Sequence, residues 1–151
     1  MRIRVVFLCA LAFICAVSII GLVGCDLPGP SAPPRFNVTG YWEGELENGG
    51  KSNLQLDLAE ANGEIVGYVR IVTEQAILIL NIASGLVNPE EKTVSFRAEG
   101  TVQPSGTKYS YAFEGQAEWT GYSWGRLSGE GVCTYGDSEY SFTWWAEKTA
   151  P

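Results

Sequence analysis

Apolar and polar side chains alternate along the chain from Gly40 onward, and turn residues interrupt the alternation at intervals of roughly ten residues. The clearest example is the stretch 52–60, where leucines occupy alternate positions between polar residues. A period of two residues is typical of a strand that buries one face and exposes the other. This part of the sequence therefore predicts an all-β fold of eight antiparallel strands, with no convincing helix.

The predicted strands follow one another through short turns, which favours a closed barrel. Asn62-Gly63, for example, supplies the residues with positive φ that a tight hairpin requires. Eight consecutive antiparallel strands can form an up-and-down β-barrel, which leaves no strand edge unpaired. The interior of a barrel of this size is either filled by side chains or holds one small ligand.

Two of the predicted strands depart from plain alternation. Residues 77–82 of the fourth strand are almost all apolar. This run predicts that both faces of the strand are covered, by a partner or by a neighbouring loop. The seventh strand is rich in glycine, and Gly125, Gly129 and Gly131 predict bulges or a sharp bend of the barrel wall.

The N-terminal segment has a different pattern, because two arginines precede an uncharged apolar run over residues 5–20. This order is typical of a secretory signal. An uncleaved membrane helix is the alternative, because residues 5–23 are about as long as the roughly 18 apolar residues that span a bilayer. Gly21, Gly24 and Pro28 interrupt the end of the segment and favour the signal.

This segment ends in Leu22-Val23-Gly24-Cys25, which resembles the lipobox of bacterial lipoproteins at every position. The resemblance implies that Cys25 is the first mature residue, that its thiol carries a diacylglycerol and that its new amino group is acylated. Several acyl chains together give lasting membrane attachment. The protein is then expected in the bacterial cell envelope, facing the periplasm or the exterior. Asp26 resembles the inner-membrane retention signal of enteric bacteria, and the choice of membrane stays open.

The lipobox resemblance divides the chain into three parts. Residues 1–24 are the expected signal peptide, which we predict to be helical, residues 25–38 are the lipidated cysteine and a tether, and residues 39–149 are the barrel domain. The tether is rich in proline, which favours an extended spacer. Without its first 24 residues the chain of 151 has 127, which suits a single domain with one core.

Charge and cysteine content limit the possible partners and cross-links of the mature domain. Removing the two arginines of the signal leaves 8 basic and 17 acidic residues, a net charge of −9. Such a chain repels phosphate backbones, so nucleic acid is not expected as a partner. Cys9 and Cys15 lie in the signal and Cys25 is committed to lipid, which leaves Cys133 with no intrachain disulfide partner.

The first predicted strand opens with Gly40-Tyr41-Trp42, which resembles the G-x-W motif of lipocalins and related calycin barrels. In that superfamily the tryptophan closes the floor of the barrel and stacks with a basic residue near the end of the barrel. The resemblance implies this role for Trp42, with Lys148 as the basic partner and Arg126 as the other candidate. Because no C-terminal helix is predicted, the sequence is most similar to the shorter avidin-like or bacterial lipocalin-like type.

The residues that carry most enzyme chemistry are missing. The chain has no histidine, which excludes Ser-His-Asp and Cys-His catalysis and removes the commonest metal ligand. Glu43, Glu45 and Glu47 share one face of the first strand. They could form a carboxylate pair for glycoside hydrolysis or a calcium site. The favoured interpretation is that they form the solvated face of the strand. Cys133 is predicted to be a small buried residue. We therefore expect no enzyme activity, no metal and no cofactor.

The C-terminal third is crowded with aromatic side chains, which either pack the core or line a cavity. We predict that Trp119, Tyr122 and Trp124, around the turn between the sixth and seventh strands, contact a ligand or partner at the barrel mouth. The other predicted contact residues are Tyr111, Tyr140 and Trp144.

Two functions follow from this prediction. The first hypothesis is a lipid-anchored lipocalin-like barrel that binds a small apolar or amphipathic ligand. The alternative is a protein-binding lipoprotein, such as an inhibitor of an exported hydrolase or an envelope scaffold. An open aromatic interior would favour the ligand, whereas a filled core with an apolar or charged patch at one rim would favour the protein partner.

Overall fold

The computed structural model describes residues 35–102, 106–120 and 123–150, and within them the predicted all-β fold is confirmed. The predicted signal helix, Cys25 and the rest of the lipobox lie outside the described residues. No helix in the described ranges is long and apolar enough to cross a membrane. The strands are β1 Gly40–Glu47, β2 Lys51–Ala61, β3 Glu64–Val72, β4 Ile77–Asn88, β5 Thr93–Val102, β6 Thr107–Trp119, β7 Trp124–Tyr135 and β8 Ser138–Ala150.

The eight strands form one closed antiparallel barrel in which each strand pairs with its neighbours in sequence. The barrel closes where β1 pairs with β8, which places Trp42 opposite Lys148 and Leu46 opposite Trp144. Asn62 and Gly63 adopt the positive φ values, 55° and 84°, that the sequence predicted for the tight β2–β3 turn. The ring of paired strands therefore has no free edge among β1 to β8.

The core lies inside the barrel and consists of the alternate side chains of the strands. Leu54, Leu56 and Leu58 of β2 are buried there, as their spacing predicts. Phe113 of β6 packs edge-on against Phe142 and Trp144 of β8, with ring centroids 5.1 and 5.4 Å apart. Apolar burial on this scale is the main source of stability in a domain without a disulfide.

The glycines of β7 serve two different purposes. Gly125 lies at the shift of register between β6 and β7, so the bulge predicted there is present. At Gly129 and Gly131 the prediction of bulges is wrong, because the register is unbroken. A Cβ at Gly131 would collide with the ring of Phe142, and a Cβ at Gly129 with the backbone of β6. These two glycines give the aromatic core and the adjacent strand room to approach closely.

The apolar run of β4 is covered on one face only. Leu80 points into the barrel and is buried, whereas Ile77 and Ile79 point outward and are 56% and 65% exposed. No neighbouring loop among the described residues covers the outer face, so that part of the prediction is wrong, while cover by a partner stays a prediction. A closed barrel has one inner surface, so the second apolar face of the strand remains on the outside.

Candidate binding site at the open end of the barrel

The strand directions give the barrel two ends with different structures. The closed end carries the lead into β1, residues 35–39, together with the β2–β3, β4–β5 and β6–β7 turns. The open end carries the β1–β2, β3–β4, β5–β6 and β7–β8 turns. Because up-and-down strands alternate in direction, each loop falls at one of these two ends.

The lead folds under the barrel and fills the closed end. Phe36 and Val38 are buried, although they belong to the stretch predicted to be an extended tether. The indole N–H of Trp42 donates to the carbonyl of Val38 at 2.9 Å, and the Val38 N–H donates to a carboxylate oxygen of Glu60 at 3.2 Å. These bonds hold the polar groups of the lead in place while its apolar side chains complete the core.

The structure brings together Gly40, Trp42 and Lys148 at this closed end. The Lys148 ammonium lies 5.6 Å from the centroid of the Trp42 ring, within the range of a cation–π contact. Gly40 has a φ of 139°, a conformation that side-chain-bearing residues rarely adopt. Arg126 does not reach Trp42; its guanidinium lies over Trp145 on the outer face of the barrel, 5.2 Å from the ring centroid.

The tryptophans around the β6–β7 turn also lie at the closed end. Trp124 is buried and packs against Phe36 and Trp119, with ring centroids 5.2 and 5.4 Å away. The Lys92 ammonium lies 5.9 Å from the centroid of Trp124. Tyr122 lies outside the described residues. This turn therefore borders the filled end of the barrel, and the predicted contact of Trp119 and Trp124 with a ligand stays a prediction.

Trp144, another predicted contact residue, lies in the middle of the core. Its indole N–H points at the carbonyls of Glu114 and Glu130, each at 3.2 Å. A buried N–H shared between two carbonyls fixes the ring, because leaving it unpaired would be costly. Trp144 thus has the surroundings of a packing residue.

The open end carries four tyrosines, Tyr109, Tyr111, Tyr135 and Tyr140, which we call the tyrosine rim. Tyr109 and Tyr135 are cross-strand partners and stack with ring centroids 4.5 Å apart. Tyr111 lies one layer deeper, opposite Cys133, which in turn pairs with Tyr140. Tyr135 and Tyr140 are 42% and 49% exposed. Tyr111 and Tyr140 are among the contact residues predicted from the sequence. Tyr109 and Tyr135 are not, because only the β6–β7 register brings these two residues together.

Burial keeps the deeper groups of the tyrosine rim in their neutral forms. Burial raises the pKa of Tyr111 far above its ordinary value, and the hydrogen bond with Cys133 adds to this shift. Burial likewise raises the pKa of the Cys133 thiol, while the hydrogen bond with Tyr111 opposes the rise. The pKa of Tyr109 is raised by burial and by the neighbouring Tyr135. At neutral pH Tyr109, Tyr111 and Cys133 are therefore uncharged, and their hydroxyl and thiol groups are the polar groups of this part of the rim.

Carboxylates predominate around the tyrosine rim. Lys51 is paired with Glu45 at 3.0 Å, so that lysine and one glutamate balance each other. Lys108 is exposed near the start of β6. The exposed carboxylates at the strand ends and turns of the open end are Glu47, Glu74, Asp137 and Glu139. The described part of this end therefore presents aromatic rings in a negatively charged surrounding.

The floor and middle of the barrel are filled. Trp42, Leu54 and Leu127 have none of their surface exposed. No space large enough for a water molecule therefore lies beside these three side chains. A groove of about 480 Å³ is present instead on the outer wall, beside Glu114 and Glu130. The described interior thus resembles a packed core more than an enclosed ligand cavity.

The carboxylates of β1 have ordinary surface partners. Glu43 accepts a hydrogen bond from Gln55 at 3.3 Å, and Glu45 is bound by Lys51. Within the described ranges no group of three or more His, Cys, Asp or Glu side chains could hold a metal ion. These contacts are typical of the solvated outer face of a sheet.

Comparison with known proteins found no relative: no protein family, no curated protein and no solved structure matches the chain. The barrel and the tyrosine rim therefore have to be interpreted from their own geometry.

Proposed function

We propose that this protein is a non-enzymatic envelope lipoprotein whose tyrosine rim binds a basic surface on another exported protein. The observation that carries this proposal is the filled interior combined with exposed tyrosines at one end. An enclosed small ligand needs a cavity of several hundred cubic ångströms. A protein partner needs only a surface, and the open end of the barrel supplies one.

The lipid anchor in this proposal rests on the lipobox and on the position of the lead. Residues 26–34 between Cys25 and the lead span at most about 30 Å when fully extended. The lead enters the barrel at the closed end, where Phe36 is buried. The tyrosine rim lies at the end of the barrel opposite the lead, and no described segment covers it.

The composition of the tyrosine rim suits recognition of a protein. Tyrosine is enriched at protein interfaces because it offers a large rigid apolar area and a polar hydroxyl at a low cost in conformational entropy. Tyr135 and Tyr140 provide this area on the surface, and the stack of Tyr109 on Tyr135 restricts the movement of these two rings. A pre-organised rim loses little freedom when a partner binds.

The charge around the rim indicates the kind of partner. The exposed carboxylates of the open end attract a surface that is rich in lysine or arginine, and they repel acidic proteins. Phenol rings also bind cations on their faces, which adds to the preference for a basic surface. The binding should therefore weaken as salt concentration increases.

A small apolar or amphipathic ligand is the second candidate function. Its support is the pairing of Tyr111 with Cys133, which places two buried side chains of an apolar character just inside the tyrosine rim. Such a ligand would sit at the end of the barrel and not inside it. The filled floor limits the size of the apolar group that this end accepts.

Site-specific photo-crosslinking in intact cells tests the binding proposal. A benzophenone amino acid replaces Tyr140 in the complete chain, and the matched control carries it at Thr143, an exposed position on the outer wall of β8. We expect a protein adduct at position 140 that disappears in high salt, and none at position 143. Equal adducts at both positions, or a small-molecule adduct alone, would overturn the protein partner.

Metabolic labelling with radioactive palmitate tests the anchor. We expect label in the wild-type chain and in the control Cys133→Ala, and loss of label together with release from the membrane in Cys25→Ala. A Cys25→Ala chain that stays fully membrane-bound would contradict the lipoprotein proposal.

A further inference from the structure

Five large apolar side chains are exposed together on the outer face of β3 and β4: Val66, Tyr68, Ile77, Ile79 and Leu86. We call this set the apolar band. It is distinct from the tyrosine rim, because it lies on the side wall of the barrel and is mostly aliphatic. Contiguous exposed apolar surface of this kind marks an interaction site in a soluble domain.

The strand register shows how the apolar band is arranged. Ile79 lies beside Arg70, and Leu86 lies beside Glu64, so the two aliphatic positions of β4 are neighbours of the charged positions of β3. Tyr68 lies two residues from Arg70 on the same face of β3, because alternate residues of a strand share a face. Asn81 lies beside Tyr68, and the register of the two strands shifts between Tyr68 and Glu64. The band therefore has Val66 and Tyr68 at its centre and, near each limit, an aliphatic side chain of β4 beside a charged side chain of β3.

The exposure of the apolar band is not a sign of a missing core. Ile65, Val69 and Ile71 of β3 point inward and are buried, as is Leu80 of β4. Both strands thus bury one apolar face in the core and expose a second apolar face on the outer wall. The exposed face lowers solubility, and a partner that covers it removes this apolar surface from water.

We propose that the apolar band is the interface of a two-fold symmetric homodimer. The outward residues of β3 are, in order, Glu64, Val66, Tyr68 and Arg70, so opposite charges lie at equal distances from the midpoint between Val66 and Tyr68. A two-fold axis through this midpoint, perpendicular to the strands, places Arg70 of each copy against Glu64 of the other. The same operation places Tyr68 against Val66.

The neighbouring strand obeys the same symmetry. Ile79 and Leu86 occupy the β4 positions beside Arg70 and Glu64, so the axis brings Ile79 of one copy onto Leu86 of the other. The Arg70 guanidinium donates to Gln55 at 2.7 Å, which holds it on the outer face, and its remaining N–H groups can bind a carboxylate. An isologous contact requires this self-complementarity of a single surface.

The aliphatic composition favours a second copy over a different protein. Homodimer interfaces are more apolar than other interfaces, whereas tyrosine-rich surfaces are typical of contacts between different proteins. A contact limited mainly to two strands of a convex wall is smaller than the standard interface of about 1,600 Å², which predicts a weak dimer. The proposed dimer leaves both tyrosine rims exposed and does not rest on the proposed partner.

Sedimentation equilibrium of the complete chain in density-matched detergent tests the dimer by charge reversal. We expect a reversible dimer, weakened about tenfold or more by either Arg70→Glu or Glu64→Arg, because each creates a like-charge contact. The double variant restores opposite charges and should return the dissociation constant to within about threefold of wild type. Arg97→Glu, on the adjacent strand β5, is the matched control and should leave it unchanged.

Several results would overturn the dimer. A chain that remains monomeric at all concentrations, or a double variant that stays as weak as the single ones, excludes the Arg70–Glu64 contact. Circular dichroism confirms that the variants remain folded. If the wild type is monomeric and Ile79→Glu, introduced into the anchor-free Cys25→Ala chain, abolishes binding to phosphatidylcholine vesicles, a lipid surface covers the apolar band instead. Photo-crosslinking at position 140 is independent of these outcomes.

Discussion

The two ends of the barrel use aromatic side chains for opposite purposes. At the closed end Trp42 and Trp124 are buried under the lead, and their ring faces are covered by Lys148 and Lys92. At the open end Tyr135 and Tyr140 remain largely exposed. The difference depends on the lead, because a few residues of chain fold over one end and no described segment folds over the other.

This comparison separates stability from recognition. The aromatic groups of the closed end have protein atoms on every side, so their removal leaves a cavity. Tyr135 and Tyr140 at the open end have protein on one side and solvent on the other, so their removal leaves mainly a smaller surface. We therefore expect substitutions at the closed end to change the free energy of unfolding and substitutions at the tyrosine rim to change binding.

The largest effect is expected from Trp42→Ala. The ring is fully buried, and its indole N–H bond to Val38 is lost together with the packing, so the free energy of unfolding should fall by about 3–5 kcal/mol. Urea denaturation followed by circular dichroism measures this change. Trp145→Ala, on the outer wall, is the matched control, and an equal loss in both variants would contradict the special role of the closed end.

The second effect is a loss of stability in alkali that arises at the open end. Burial raises the pKa values of Tyr111 and Cys133 in the folded state, above the ordinary values of 10.0 and 9.0. The unfolded chain then loses these protons at a lower pH than the folded chain, so stability is complete below about pH 9 and falls as the pH increases further. Urea midpoints from pH 7 to pH 11 measure the fall. Tyr111→Phe should reduce it, and an unchanged pH profile would contradict the assignment.

A smaller effect is expected from Lys148→Met, which keeps the apolar stem of the side chain but removes the cation over Trp42. The free energy of unfolding should fall by about 0.5–1 kcal/mol, the usual strength of an exposed cation–π contact. Arg126→Met, which removes the cation over Trp145, tests whether the contact is specific to the closed end. Chemical denaturation compares the two variants, and we expect the larger loss for Lys148.

The smallest effect on stability is expected at the tyrosine rim. Tyr140→Ala should change the free energy of unfolding by less than about 0.5 kcal/mol, because half of this side chain is already exposed. The same variant should lose the salt-sensitive protein adduct, detected with a photo-crosslinker at position 135. Retention of the adduct would remove the rim from the proposed interface.

The fold could be predicted from the sequence because its signal is repeated in every strand. Alternation places Leu54 inside in the same way as it places Phe142 inside, and turn residues mark the strand ends. Closure of the barrel then depends on strand number and short connections, which are visible in the sequence.

Which end is open could not be predicted in this way. Phe36 and Val38 follow a proline-rich stretch, so composition assigned them to the tether, whereas the structure packs them beneath Trp42. Their signal was present, since two apolar residues at alternate positions directly precede the G-x-W motif. Likewise the sequence predicted a bulge or a sharp bend at Gly131. It could not show that Gly131 accommodates the ring of Phe142, because that ring belongs to another strand. Contacts between distant segments require the register, which one sequence does not contain.

The pairing of β1 with β8 affects when the chain can fold. Residues about a hundred positions apart, such as Trp42 and Lys148, have to meet before the cylinder is complete. A polypeptide synthesised from its N-terminus therefore lacks the final partner of its first strand until almost the whole chain has emerged. In the proposed secretion route, this delay would keep the chain unfolded while it passes through a translocation channel.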